Sequence, residues 1–98
     1  MTAVVAVLRL ALHLPMSQSL KDKRQVVRSL KDRLANTYRV SVAETGGQDT
    51  WQSAELLVAY ASSDTRHAQE ILSKIVDFTE DFHLPVELVD TESELIHY

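Results

Sequence analysis

The sequence predicts a small α+β domain whose elements follow the order β-α-β-β-α-β. Residues that alternate between apolar and polar, as strands do, occur at four places, and two stretches of helical periodicity separate them. The length of 98 residues leaves room for one hydrophobic core, so we expect a single domain over residues 1–98. Apolar residues make up 45% of the chain and charged residues 24%, which argues against disorder, collagen and coiled coil.

The first strand and the first helix have clear boundaries. Every second residue is apolar over residues 3–13, and Pro15 ends this strand. Ser19 is a good N-cap for the helix, with Asp22 three residues later as a partial capping box. An apolar stripe begins at Leu20, and we expect the helix to end near Asn36.

Two strands and a second helix follow. The second strand is predicted over residues 38–43 and the third over about 51–61, joined by a hairpin loop at 45–49 that holds both glycines of the chain. A cap cluster at 62–64 starts the second helix, which turns an apolar stripe inward. The last strand starts at Val86, while residues 91–98 fit a strand, a helix or a tail equally well.

Two β-α-β units of this kind make a ferredoxin-like sandwich. We expect a four-stranded antiparallel sheet in the order 4-1-3-2, with both helices on one face. This arrangement brings the end of strand 1, the start of helix 1, the turn between strands 2 and 3, and the start of strand 4 to one end of the sheet.

Several classes of function are disfavoured by composition. The chain has no cysteine, so disulfides, thiol nucleophiles and cysteine zinc sites are excluded. Its two glycines lie in the hairpin, which removes the glycine-rich phosphate loops, and no two of its four histidines have a metal-ligand spacing. The longest apolar run is far shorter than a membrane span and lacks the flanks of a signal peptide. We therefore expect a soluble cytoplasmic protein without membrane partner, metal, cofactor or identifiable catalytic residue.

The net charge of −4 conceals a strong asymmetry. Residues 1–43 carry eight basic and two acidic side chains, whereas residues 44–98 carry two basic and twelve acidic ones. An isoelectric point near 5.4 argues against a dedicated nucleic-acid binder, and we do not expect DNA as a partner. The basic half nevertheless allows a local basic patch.

That patch is one flank of the first helix, and it is the first candidate site. Lys21, Arg24, Arg28 and Lys31 fall within an arc of about 80° at 100° per residue. The start of the helix adds Ser19 and Lys23 with free backbone N–H groups, which together could hold a phosphate. The flank thus predicts contact with an RNA backbone. The alternative is a solvated face that Asp22, Asp32 and the acidic second half partly neutralise.

Two further candidates follow from the topology. A ligand cleft at the strand ends would use His13, Glu44, Asp49, Trp51 and Gln52, unless these residues only cap and pack the loops. The open face of the sheet would present Val5, Val7, Leu57 and Ala59 as a homodimer face, unless this small, weakly polar face simply stays in water. The first three strands place no aromatic residue on this face, which argues against base stacking.

Several blocks of the sequence resemble the YlxP-like family of small bacterial proteins, a domain of unknown function numbered 503. They are LHLP at 12–15, SLKDKR at 19–24, VSVAE at 40–44, and Asp49, Trp51, Gln52 and Ala54. The resemblance implies a ferredoxin-like fold. It also implies a link to ribosome maturation or RNA handling, because genes of this family lie among translation genes. The family has no established activity, so no catalytic residue is carried over. Asp22 stands where glutamate is more usual, and Gly46-Gly47 replaces a less flexible hairpin.

We therefore expect a non-enzymatic accessory protein that contacts ribosomal or other structured RNA through the first helix. Alternatives are a homodimeric protein-interaction module that uses the open sheet face, and a small ligand-binding protein or enzyme at the His13/Glu44/Asp49 end.

Overall fold

The structure is a computed structural model that describes residues 2–47 and 50–98. Within these residues the elements are β1 (Val4–His13), α1 (Leu20–Tyr38), β2 (Ser41–Gly46), β3 (Ser53–Ser62), α2 (Thr65–Glu80) and β4 (Glu87–His97). The strands form one antiparallel sheet in the order β2-β3-β1-β4. The predicted α+β class, element order and strand order are confirmed.

The central strand β1 organises the core. Its alternate residues from Val4 to Leu12 are buried, and they face both helices on one side of the sheet. The β3 residues Leu56 and Val58 continue this apolar layer because they lie opposite Leu10 and Leu8. The two helices close the core with their own apolar stripes: Val27, Leu30 and Leu34 from α1, and Ala68, Ile71, Leu72 and Ile75 from α2. The other face of the sheet is uncovered, and we call it the open face.

Both helices begin where the cap residues predict. Ser19 Oγ accepts the Asp22 N–H at 3.1 Å, and the Asp22 carboxylate accepts the Gln18 N–H at 3.1 Å. Asp64 plays the same part for α2, accepting the His67 N–H at 3.0 Å. These caps satisfy backbone donors that a helix start otherwise leaves without partners.

Helix α1 is longer than its sequence pattern indicates. It runs past Asn36 to Tyr38, so the prediction that Tyr38 begins the second strand is wrong. The Tyr38 ring packs edge-on against Phe78 of α2 at 5.9 Å, and its hydroxyl donates to the Lys74 carbonyl at 3.4 Å. Contacts with a distant helix thus hold Tyr38 in helical conformation, and Arg39 then turns the chain at φ 55°.

The last segment of the chain is a strand almost to its end. β4 pairs with β1 from Glu87 to His97, with one irregularity at Val89, which has no opposite residue in β1.

Neither α1 nor α2, the helices of the described residues, is long and apolar enough to cross a membrane.

Candidate functional site

The basic flank of α1 consists of Lys21, Arg24, Arg28 and Lys31, as the sequence predicts. The first three side chains are exposed and that of Lys31 is half-buried. The flank lines two adjoining surface grooves of about 450 and 280 Å³, and Arg24 and Arg28 border both. The described part of the chain therefore presents these cations as one row along the first half of α1.

The described residues form no ion pair with this flank. Across residues 2–47 and 50–98, no carboxylate lies within 4 Å of the charged nitrogens of these four residues. Asp22 accepts the Gln18 N–H instead, and Asp32 borders both grooves without forming an ion pair. Glu44 also borders the smaller groove, so carboxylates lie beside the flank, although neither Asp22 nor Asp32 forms an ion pair with it in the described structure.

Lys23 does not belong to this flank. It is 2% exposed, and its ammonium donates to the carbonyls of Gly47 and Thr50, the latter at 2.8 Å. The Glu44 carboxylate lies 3.4 Å from the same ammonium. Because Lys23 is enclosed, it is not available to a phosphate, which corrects its place in the predicted RNA-binding set. It instead ties the start of α1 to the connection between β2 and β3.

The spacing of the helix contains the signal for this burial. Lys23, Val27, Leu30 and Leu34 are the buried residues of α1, and their spacing of four, three and four residues defines its inner stripe. Ser19, another member of the predicted set, is half-buried and its hydroxyl accepts the Asp22 N–H as the N-cap.

The predicted ligand cleft is not assembled. His13 lies on the open face, where its ring nitrogen is 3.3 Å from Glu87 of β4. Glu44 lies opposite buried Leu56, which places it on the helix side of the sheet. The sheet therefore separates His13 from Glu44, and the two cannot act together on one ligand atom. In the described part of the chain, no group of three histidine or carboxylate residues is arranged to hold a metal.

The remaining residues of that predicted cleft have different positions. Gln52 holds the loop before α1: its side-chain amide donates to the Ser17 carbonyl at 3.3 Å, and its backbone carbonyl accepts the Leu14 N–H at 2.8 Å. Trp51 is 52% exposed. Asp49 lies outside the described residues.

The open face has an apolar half and a charged half. Val5, Val7, Leu57 and Ala59 lie together on the apolar half as predicted, and Ile96 of β4 joins them opposite Val5. Leu57 and Ile96 are 38% and 36% exposed. The homodimer expected through this surface stays a prediction.

The charged half is centred on Arg9. Its cluster of ion pairs was not predicted from the sequence. The Arg9 guanidinium contacts Asp90 at 2.9 Å, Glu55 at 3.2 Å and Glu92 at 3.3 Å. These hydrogen bonds, first that of Asp90 and then those of Glu92 and Glu55, raise the pKa of Arg9. Recognising the cluster requires the register of β4 against β1, which the sequence pattern left open.

Comparison with known proteins gives the family. The family model described as "Protein of unknown function (DUF503)" matches residues 5–93. The chain belongs to this family. It is 36% identical over 64 residues to the uncharacterized protein YlxP of Bacillus subtilis (strain 168), covering 65% of this chain and 70% of that protein. The resemblance seen in the sequence is thus confirmed.

One solved structure supports the architecture. The de novo designed protein Foldit4 is similar over 96% of both chains, with a TM-score of 0.55 and 14% identity. At this identity the likeness concerns the fold alone. DUF503 proteins have no activity described by the family name, so a functional conclusion must come from the surfaces of the chain itself.

Proposed function

We propose that this DUF503 protein is an accessory protein that contacts structured RNA, with ribosomal RNA the leading candidate, through the basic flank of α1. The observation that carries the proposal is a row of cations that have no carboxylate partner within 4 Å among the described residues. From Lys21 to Lys31 the helix rises about 15 Å at 1.5 Å per residue, so the row can follow successive backbone phosphates.

The position of these charges supports a binding role over a stabilising one. Lys21 and Arg24 lie near the N-terminus of α1, where a positive charge opposes the helix macrodipole and costs about 0.3–1 kcal/mol. Asp22 supplies the acidic side chain that favours the start of the helix, and Lys21 and Arg24 oppose it. A bound phosphate would offset this cost, because its negative charge attracts both the cationic side chains and the positive end of the helix dipole.

The flank is suited to backbone contact rather than to reading a sequence. It has no aromatic residue on which a base could stack. Trp51 is a candidate for such a role: it follows Thr50, whose carbonyl accepts a hydrogen bond from Lys23, and so lies at the end of the sheet where α1 starts. We expect binding to be mainly electrostatic and to recognise folded RNA by shape.

Co-sedimentation with purified ribosomal subunits on sucrose gradients tests the proposal. Four phosphate contacts predict an affinity that falls about 50-fold to 150-fold between about 50 and 200 mM salt, with the larger value for double-helical RNA. The protein should therefore travel with a subunit at low salt and remain at the top at high salt. The double variant Arg24→Glu/Arg28→Glu should weaken binding at least about tenfold, because two attractive contacts become repulsive.

A matched control keeps the test specific. Arg66→Glu/Lys74→Glu changes the net charge by the same amount, but on exposed positions of α2. This variant should sediment like the unmodified protein, and the urea midpoints of both variants should show that they are folded. Absence of the protein from subunit fractions at low salt, or equal loss for the two double variants, would overturn the proposal.

A further inference from the structure

The outer edge of β4 is an open strand edge. β4 lies at the end of the sheet and pairs with β1 on one side, and no other strand of residues 2–47 and 50–98 pairs with its second side. Its residues are mostly exposed over the whole length. Such an edge presents backbone donors and acceptors that can pair with another chain.

A backbone hydrogen bond at the end of the β1–β4 pairing identifies which N–H and C=O groups of β4 point outward. The Tyr98 N–H donates to the Ala3 carbonyl at 2.9 Å, and the β1–β4 register places these two residues opposite each other. In an antiparallel ladder such bonded pairs alternate with pairs that do not bond each other. The β4 residues Asp90, Glu92, Glu94 and Ile96 therefore bond β1. The outward N–H and C=O groups belong to Thr91, Ser93, Leu95 and His97.

An independent bond agrees with this assignment. The Leu14 N–H donates to the Gln52 carbonyl at 2.8 Å, in register with the β1–β3 pairing. Even-numbered residues of β1 therefore bond β3, which leaves the odd-numbered ones to bond β4.

The two sides of this edge differ in chemistry. On the helix side, a surface groove of about 430 Å³ lies between α2 and β4; its floor and walls are mixed, with apolar Leu8, Leu72, Val76 and Leu95 and polar Gln69, Ser73, Thr91, Ser93 and Glu94. On the open face, Asp90, Glu92 and Glu94 stand in a row, all exposed. Arg9 contacts the first two and also Glu55, so one cation is shared by three carboxylates and the row stays negative.

We propose that the β4 edge binds an extended segment of a partner protein in which lysine or arginine alternates with small apolar residues. An added antiparallel strand would bond Thr91, Ser93 and Leu95 through its apolar residues, whose side chains then enter the groove beside α2. Its intervening residues would lie opposite Asp90, Glu92 and Glu94, where cations fit. The edge, the groove and the charges thus specify one alternating pattern.

A second copy of this chain fits the edge poorly. If β4 paired with β4 antiparallel, outward-bonding residues would pair with each other, and the carboxylates at 90, 92 and 94 would face one another. Like charges directly opposite across strands are destabilising. The other edge strand, β2, has no alternating basic residues to offer. The inference therefore commits to a different, basic chain, and it is independent of the RNA contact proposed for α1.

Nuclear magnetic resonance with the peptide acetyl-Lys-Val-Lys-Ala-Lys-Val-Lys-amide tests the inference. In the free protein, the amides of Ser93 and Leu95 should exchange quickly with solvent, whereas those of Glu92 and Glu94 are already protected by β1. Saturating peptide should protect the first pair by at least about tenfold and leave the second pair unchanged. The same peptide N-methylated on Val and Ala keeps its charge but loses the bonding N–H groups, and it should protect neither.

Two variants of the protein separate the edge from its charge. In Ser93→Pro the missing N–H faces outward, so no bond to β1 is lost, yet peptide affinity should fall about tenfold. Glu94→Lys leaves the backbone unchanged and should weaken binding about fivefold. Because Glu94→Lys does not alter the strand, it remains informative if the proline variant fails to fold.

Three outcomes would overturn the inference. One is no change in exchange at about 1 mM peptide, and another is equal binding of the N-methylated peptide, which would indicate general charge attraction only. The third is a dimer, seen by light scattering of the unmodified protein, that Ser93→Pro makes monomeric. That result would show that the β4 edge binds a second copy of this chain.

Discussion

The basic flank of α1 and the Arg9 cluster are both exposed groups of charges, but they are built in opposite ways. Four cations of the flank have no carboxylate within 4 Å among the described residues, whereas Arg9 alone is shared by Glu55, Asp90 and Glu92. The net charge of −4 is a sum over the whole chain and does not show that it carries two separate surfaces of opposite sign. We propose a different class of partner for each surface, and the total charge predicts neither.

Lys23 shows that position decides the role of a cation even within one helix. It is two residues from Lys21, yet it is enclosed while Lys21 is exposed. Substitutions at enclosed and exposed cations therefore measure how much each kind of position contributes to stability.

The largest effect is expected for Lys23→Met. This change leaves Glu44 and two carbonyls without their buried cation, and breaking a buried ion pair costs about 3–5 kcal/mol of unfolding free energy. Urea unfolding measures the loss. Lys21→Met, an exposed change of the same type, should stay within about 0.5 kcal/mol of the unmodified protein. Equal midpoints for the two variants would show that the buried ammonium adds no net stability.

A smaller loss of unfolding free energy is expected for a substitution at Gly47, whose carbonyl accepts a hydrogen bond from Lys23. Gly47 has φ 75°, and a Cβ there would lie 2.9 Å from the Ser53 carbonyl oxygen, so Gly47→Ala should cost about 2 kcal/mol. At Gly46 the nearest atom is a carboxylate oxygen of Glu55 at 3.2 Å, on a side chain that can move. Gly46→Ala should therefore cost less in the same urea experiment. The reverse order would mean that the turn at Gly47 is not fixed.

Much of the fold follows from local patterns. The alternation along β1, the caps at Ser19 and Asp64 and the inner stripe of α2 act over a few residues, and each is confirmed. The start of the last strand was predicted at Val86, but residues 91–98 were left open because Thr91 and Ser93 are polar on one face and Glu92 and Glu94 on the other. Backbone hydrogen bonds to β1 support its strand conformation, and such bonds cannot be predicted from the hydropathy pattern.

The candidate sites were less predictable because they depend on facing and register. The flank of α1 follows from helical spacing alone. The burial of Lys23 also follows from that spacing, but a lysine is ordinarily expected in solvent, so the prediction placed it on the surface. In β2, Glu44 shares its face with Val42, which packs against the core, so alternation already separates it from His13. The Arg9 cluster joins three strands, and only their register brings its four side chains together.

The smallest and most conditional effect is expected for Arg9→Gln. Without the guanidinium, three carboxylates repel one another, so the urea midpoint should fall at low salt and recover towards that of the unmodified protein near 1 M salt, where the Debye length is about 3 Å. The raised pKa of Arg9 means that its contribution is complete at lower pH and is lost only as pH rises through that raised value. The difference between the two proteins should therefore be constant from about pH 6 to 9. Arg28→Gln, in the flank without ion pairs, removes repulsion between cations, so its midpoint should rise slightly at low salt and approach that of the unmodified protein near 1 M salt. If the two variants respond to salt in the same way, the contrast between the two surfaces is one of position alone and not of pairing.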